Sequence, residues 1–90
     1  MEKIDIIEAL SQSGAMYILL ILLKNQEMKT LELLEEIPVG RTAAYTAIRK
    51  LLNAELIRDI KEGIPVTRTF QLTEKGEFVA KKIREIVTKI

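Results

Sequence analysis

The amino-acid sequence predicts one mainly α domain with a small β-hairpin, an α+β fold, over residues 1–90. Three observations predict it. Apolar residues recur at helical spacing before and after a central segment. In that segment, residues 56–72, the period changes to two around a turn, which is typical of a hairpin. Two predicted helices are separated only by Pro38, Val39 and Gly40, the spacing of a helix-turn-helix.

The composition is that of a foldable chain and argues against several kinds of chemistry. Hydrophobic residues make up 48% and charged residues 30%, a balance typical of globular domains. The chain has neither Cys nor His, which excludes thiol chemistry, Cys/His zinc sites and imidazole catalysis. It also has no Gly-rich phosphate loop and no nucleophile motif. We therefore expect no enzyme, no catalytic residue, no metal site and no cofactor.

The N-terminus predicts a cytoplasmic protein. Residues 1–5 are charged and lead into no signal peptide. The longest apolar run, residues 15–23, has nine residues, about half of a membrane span. We expect no membrane partner and, at this length, no separate effector domain; whether there is a small-molecule effector is unknown from the sequence.

Three helices are predicted in the first part of the chain. Residues 3–11 form a helix too short to be stable alone. Residues 14–24, capped by Ser13, are apolar nearly all round, which indicates a buried central helix. Residues 30–37 follow a brief strand at Met28 and Lys29. Thr30 is expected to cap this third helix, and its inward side chains are expected to be Leu31, Leu34 and Ile37.

The fourth helix, residues 41–54, separates its side chains into an apolar face and a polar face. The polar face carries hydroxyls, cations and one amide but no acid, and comprises Thr42, Thr46, Arg49, Lys50 and Asn53. Such groups can donate hydrogen bonds to phosphates or base edges. Gly40 or Thr42 would cap the helix, and Tyr45 is expected at the edge of the buried face with its hydroxyl exposed. The pattern predicts a DNA-reading helix.

The hairpin predicted over residues 56–72 has an anchored base and a free distal end. Its base would be held by Ile57, Phe70 and Leu72. Its distal half carries cations beside a Gly63-Ile64-Pro65 tip that has no core to reach.

The last helix, residues 74–90, begins after a Thr73 cap and is about 25 Å long, longer than a domain of this size needs. We expect it to form a coiled-coil-like seam in a homodimer. The alternative is that it only closes its own domain. The candidate dimerisation residues come from the apolar stripes of the first and last helices. They are Ile4, Ile7, Val79, Ile83, Ile86, Val87 and Ile90.

Charge is segregated along the chain although the net charge is only +1. Residues 1–39 hold three cations against seven acids, whereas residues 40–70 hold six cations, four of them Arg, against three acids. Arg is well suited to forked recognition of phosphate and guanine. The central segment is therefore the expected nucleic-acid surface.

The order of elements, and several short motifs, resemble the small MarR/PadR/ArsR-type transcription regulators of prokaryotes. The resemblance covers about residues 13–78. Its most specific part is Phe70-Gln71-Leu72-Thr73-Glu74-Lys75-Gly76, which resembles the closing "Y-x-L-T-x-K-G" pattern. The other matching segments are residues 16–23, 28–34, 41–51 and 56–57. Glu55 departs from the pattern, because the family usually has Gly where the recognition helix ends.

The resemblance implies a winged helix-turn-helix that binds double-stranded DNA as a homodimer. It implies that Arg41, Thr42, Thr46 and Arg49 lie toward the major groove, with Lys50 on the same helix. From the wing, Arg58, Lys61 and Arg68 would contact the adjacent backbone or minor groove. Two other functions remain open: a winged helix used for protein interaction, which the near-neutral charge favours, and non-specific DNA binding of the chromatin type.

Overall fold

The computed structural model describes residues 2–90, with side chains from residue 3 onward. Within that range it contains five helices and three strands, so the predicted α+β fold class is confirmed. In chain order they are α1 (Glu2–Leu10), α2 (Ala15–Asn25), β1 (Glu27–Lys29), α3 (Thr30–Glu36), α4 (Arg41–Asn53), β2 (Ile57–Glu62), β3 (Thr67–Leu72) and α5 (Glu74–Thr88). The ends of these elements lie within two residues of the predicted ranges.

The three strands form one antiparallel sheet in the order β1, β3, β2. The hairpin of β2 and β3 is paired over six residues on each strand, from Ile57 opposite Leu72 to Glu62 opposite Thr67. Strand β1 adds three pairs on the other side of β3. The wing is therefore a two-stranded ribbon whose base is joined to β1 through β3.

One apolar cluster unites the helices with the base of the hairpin. Helix α2 contributes four fully buried side chains, as its apolar sequence predicts, and it packs against α5. The largest fully buried side chains are Phe70, Ile18, Leu19, Leu22, Leu33, Leu51 and Leu56. Among the described residues, no single helix is long and apolar enough to cross a membrane. Helices α1 and α2 together have the necessary length and apolarity, but the chain bends by 93° between them.

Two predicted helix caps were wrong. Gly14, not Ser13, occupies the N-cap of α2, with φ 86°. A residue with a side chain rarely adopts this φ, and an added Cβ would lie only 2.9 Å from the Val39 side chain and 3.1 Å from that of Ile37, so both the backbone and the packing favour glycine. Lys29, not Thr30, precedes α3, because β1 leads directly into the helix, and its N–H donates to the Glu32 carboxylate at 3.0 Å.

The inward face of α3 also differs from the prediction. Leu31 is 61% exposed, whereas Leu33 is fully buried with Leu34 and Ile37. A helix of seven residues has too few turns for its sequence period to fix which leucine faces the core.

Helix α4 ends in a Schellman motif with an unusual residue at its left-handed position. The N–H of Leu56 donates to the carbonyl of Leu51, and that of Glu55 to Leu52, both at 3.0 Å. Glu55 has φ 59°, where Gly is the common choice. The helix thus stops where the family pattern stops, without the glycine.

The Thr73 cap predicted for α5 is present. Its hydroxyl accepts a hydrogen bond from the Gly76 N–H at 3.0 Å and donates to the Glu55 carbonyl at 2.6 Å. Gly76 lies against the Leu56 backbone so closely that a Cβ atom would overlap the Leu56 carbonyl. The Leu-Thr-x-Lys-Gly pattern, residues 72–76, therefore marks a place where two backbone segments are in contact. This contact joins the start of α5 to the segment that follows α4.

Candidate nucleic-acid interface

The polar face of α4 is open to solvent. Gly40 occupies the N-cap in an extended conformation without a side-chain cap, so Thr42 is not the cap. Thr42 is exposed, and its carbonyl accepts a hydrogen bond from the Thr46 hydroxyl at 3.0 Å. Arg41 and Arg49 are exposed and, within residues 2–90, form neither an ion pair nor a side-chain hydrogen bond. Their guanidinium groups are available to a partner.

The two strands of the wing divide the predicted cations between two faces. Residues opposite each other in an antiparallel ribbon share a face, and the faces alternate along each strand. Lys61 lies opposite Arg68, on the same face as buried Phe70. Arg68 and Phe70 line a groove together with side chains of α4. The face that carries Lys61 and Arg68 is therefore the one that turns toward the recognition helix.

Arg68, in the distal half of the wing, is held on this face by two contacts. Its guanidinium forms an ion pair with Asp59 at 2.8 Å and lies 4.9 Å from the centre of the Phe70 ring. The Arg68 side chain nevertheless stays 43% exposed, whereas Asp59 is 19% exposed. Arg68 is thus oriented by the wing itself, while Lys61 forms no ion pair among the described residues.

A groove of about 540 Å³ separates α4 from the wing. Its floor is apolar, formed by Ile48, Leu52 and Phe70, and its rim is polar. The rim residues are Thr42, Tyr45, Thr46, Arg49 and Arg68. Four of the eight predicted DNA-binding residues, Thr42, Thr46, Arg49 and Arg68, therefore surround one concave surface.

Arg58 lies on the opposite face of the wing, away from that groove. Its Nε and Nη2 atoms both donate to the Gln71 side-chain oxygen, at 3.3 and 3.0 Å. The Gln71 amide in turn donates to the Glu27 carboxylate at 2.7 Å. Arg58 is thus the end of a hydrogen-bonded row that crosses all three strands.

Lys50 lies on the side of α4 that packs against α1. Its ammonium group is 2.7 Å from the Glu8 carboxylate. That hydrogen bond, and then the charge of Lys50, lower the pKa of Glu8. The structure therefore separates Lys50 from Arg49, which the sequence had grouped with it on the polar face.

The predicted dimerisation residues fall into two sets. Val79 and Ile83 pack partly against the protein's own core. The remaining side chains, Ile4, Ile7, Ile86, Val87 and Ile90, are between 56% and 102% exposed. Phe78 of α5, which was not among the predicted set, is also 64% exposed. The outer half of α5 has an unpartnered apolar face within the described chain.

Tyr45 lies in the groove and is more exposed than a residue at the edge of the buried face would be. It was expected at the edge of the core, but it is 47% exposed and lines the groove beside Arg49. Thr42, Tyr45, Thr46 and Arg49 have the spacing i, i+3, i+4, i+7, which places all four side chains on one helix face. That spacing was the signal that could have identified it.

Comparison with known families gives one match over most of the chain. Residues 10–81 match the family described as "Sugar-specific transcriptional regulator TrmB". No curated protein sequence matches the chain.

Several solved structures are similar to this fold. A variant of ZitR from Lactococcus lactis is 27% identical, with a TM-score of 0.75 over 96% of this chain and 64% of ZitR. A regulator of the MarR family from Porphyromonas gingivalis is 22% identical, with a TM-score of 0.67 over 80% of this chain and 72% of that protein. A protein from Archaeoglobus fulgidus, 22% identical, has a TM-score of 0.71 over 91% of this chain and 92% of its own.

Proposed function

Because the chain belongs to the TrmB family of transcriptional regulators, we propose that it binds specific sequences in double-stranded DNA as a homodimer. The observation that carries the proposal is the pair of free guanidinium groups on the acid-free face of α4. Arg41 and Arg49 are exposed and unpaired within residues 2–90. Chromosomal DNA as the partner accords with a cytoplasmic localisation.

The proposed contacts of α4 are to base edges and phosphates of the major groove. An α-helix fits that groove, and Arg can donate two hydrogen bonds to guanine. Arg49 and Thr46 lie in the middle of the exposed face, where they would reach bases. Arg41 and Thr42 belong to the first turn, where free N–H groups and the helix dipole favour a phosphate.

The wing supplies the second set of proposed contacts. Lys61 and Arg68 share the face that turns toward α4, so both cations would meet the backbone that flanks the major groove. Arg58 lies on the opposite face of the wing, where it donates to Gln71, and Lys50 lies on the side of α4 that packs against α1, where it pairs with Glu8. We therefore assign those two residues to holding the wing and α1 in place rather than to DNA contact.

The proposed dimer forms through the exposed apolar face of α5, with α1 beside it. Ile86, Val87 and Ile90 lie on one side of the helix and are each more than half exposed, and burying such side chains favours association. In a twofold dimer, two recognition helices about 34 Å apart would read half-sites one helical turn apart. The binding site should then be roughly palindromic.

Selection of bound duplexes from a random pool tests the proposal. Recovery of a palindromic consensus with half-sites 10 to 11 base pairs apart, roughly one DNA turn, would support specific dimeric binding. Recovery of duplexes without a consensus would indicate chromatin-type binding instead. If no duplex is retained even at low salt, DNA binding is wrong and the protein-interaction alternative takes its place.

A further inference from the structure

The distal end of the wing exposes apolar side chains that nothing in the described chain covers. Residues 61–68 are all exposed. Ile64 is 102% exposed and Val66 67%, with Pro65 between them. These three residues, which we call the wing tip, lie in the connection between β2 and β3, just beyond the last pair, Glu62 with Thr67.

The wing tip is held well away from the core. Thr67 lies three residue steps along β3 from buried Phe70, which amounts to about 10 Å of extended chain. Hairpin connections are commonly built from Gly, Asn and Asp, and here Gly63 takes the left-handed position with φ 83°. Neither the turn nor the core therefore explains an isoleucine at the outermost position.

The charges around the wing tip indicate what it meets. Lys61 and Arg68 lie opposite each other, on the face that turns toward α4. Glu62 points to the other face, with Arg58. The wing tip is apolar, and Lys61 and Arg68 flank it on the side of α4. This arrangement is complementary to a narrow groove bordered by two rows of phosphates. The minor groove of DNA next to the site of α4 has that form.

We propose that Ile64, supported by Pro65 and Val66, enters the minor groove and packs as an apolar wedge against one base-pair step. This inference rests on the proposed function and adds a mode of sequence recognition to it. Apolar wedges of this kind partly unstack a step and kink the duplex toward the major groove. Unstacking is easiest at pyrimidine–purine steps, so the wing tip selects a flexible step outside the bases that α4 reads.

Two substitutions of similar size separate the wedge from a role in folding. Ile64→Leu keeps an apolar tip, whereas Ile64→Asn replaces it with a polar one. Since Ile64 is fully exposed, both variants should unfold at the temperature of the wild type. The probe is the duplex recovered by the random-pool selection, and the measurements are its affinity and its bend angle in circularly permuted fragments.

The wild type and Ile64→Leu should bend the duplex by about 20° or more. Ile64→Asn should abolish the bend and bind roughly tenfold more weakly. Equal affinity and equal bending by wild type and Ile64→Asn would overturn the wedge, as would a straight duplex in the wild-type complex. A change in self-association of the DNA-free Ile64→Asn protein would assign the tip to a second copy of the chain instead. Failure of every variant to bind any duplex would overturn the proposed function as well.

Discussion

The hydroxyl of Thr73 donates a hydrogen bond to the carbonyl oxygen of Glu55 across 2.6 Å. It also caps α5 by accepting from the Gly76 N–H. One side chain therefore joins the end of the recognition helix to the start of the helix that we propose for dimerisation. The position of α4 relative to α5 is set at this junction.

Replacing Thr73 with Ala should lower the free energy of unfolding by about 1–2 kcal/mol, because both the cap and the bond to Glu55 are lost. Ser retains the hydroxyl, so Thr73→Ser is the matched control and should stay within about 0.5 kcal/mol of the wild type. Chemical denaturation at fixed protein concentration measures both. Equal stabilities of the two variants would show that the hydroxyl contributes nothing.

Glu55→Gly should stabilise the protein by about 0.5–1 kcal/mol. A left-handed residue with a side chain costs about 1–2 kcal/mol, while glycine loses about 0.5–1 kcal/mol more backbone entropy on folding. The thermal unfolding midpoint should rise accordingly. Glu55→Ala is the control, since it keeps a Cβ atom and should bring no such gain; a lower midpoint for Glu55→Gly would contradict the cap geometry.

Arg49→Ala and Lys61→Ala should weaken DNA binding in different ways. Loss of a base contact from Arg49 should reduce affinity for the selected duplex about tenfold, with little effect on random duplexes. Loss of a phosphate contact from Lys61 should weaken both kinds of duplex alike. Fluorescence anisotropy titrations of selected and scrambled duplexes give the four affinities. The same effect of both variants on both duplexes would contradict the assigned roles.

The periodicity of apolar residues predicted most of the helices and strands. It also predicted a site residue wherever it fixes the face to which that side chain points. The alternation of β3 implies that Arg68 shares a face with Phe70, so the two-sided wing could have been derived from the sequence once Phe70 was assigned to the core. The close approach of Gly76 to the Leu56 backbone could be recognised in the sequence only as part of a family motif. The group that requires glycine at this position is the Leu56 carbonyl, which lies twenty residues earlier in the sequence.

The sequence could not identify partners supplied by distant elements. Lys50 and Arg49 are neighbours on one helix, yet Glu8, which lies 42 residues from Lys50 in the sequence, pairs with Lys50 and not with Arg49. Arg58 likewise depends on Gln71 and, through it, on Glu27 of β1. Helical and strand periods give the direction of a side chain but not the element that it meets there.

Ile86→Glu should convert the proposed dimer into a monomer, because it places a charge in the apolar face of α5. Light scattering coupled to size-exclusion chromatography should give about twice the 10.3 kDa chain mass for the wild type and the single mass for the variant. Leu31→Glu is the matched control, as Leu31 on α3 is equally exposed, 61% against 62%. A monomeric wild type, or a dimeric Ile86→Glu, would contradict the seam.

The most direct measurement of the central claim is the salt dependence of binding to the selected duplex. Four proposed cations per subunit, Arg41, Arg49, Lys61 and Arg68, allow up to eight contacts in a dimer. A plot of log affinity against log salt concentration should then be linear, with a slope between about −4 and −7 if at least half of these contacts are to phosphates. No binding at the lowest salt concentration, or an affinity that does not change with salt, would contradict the account.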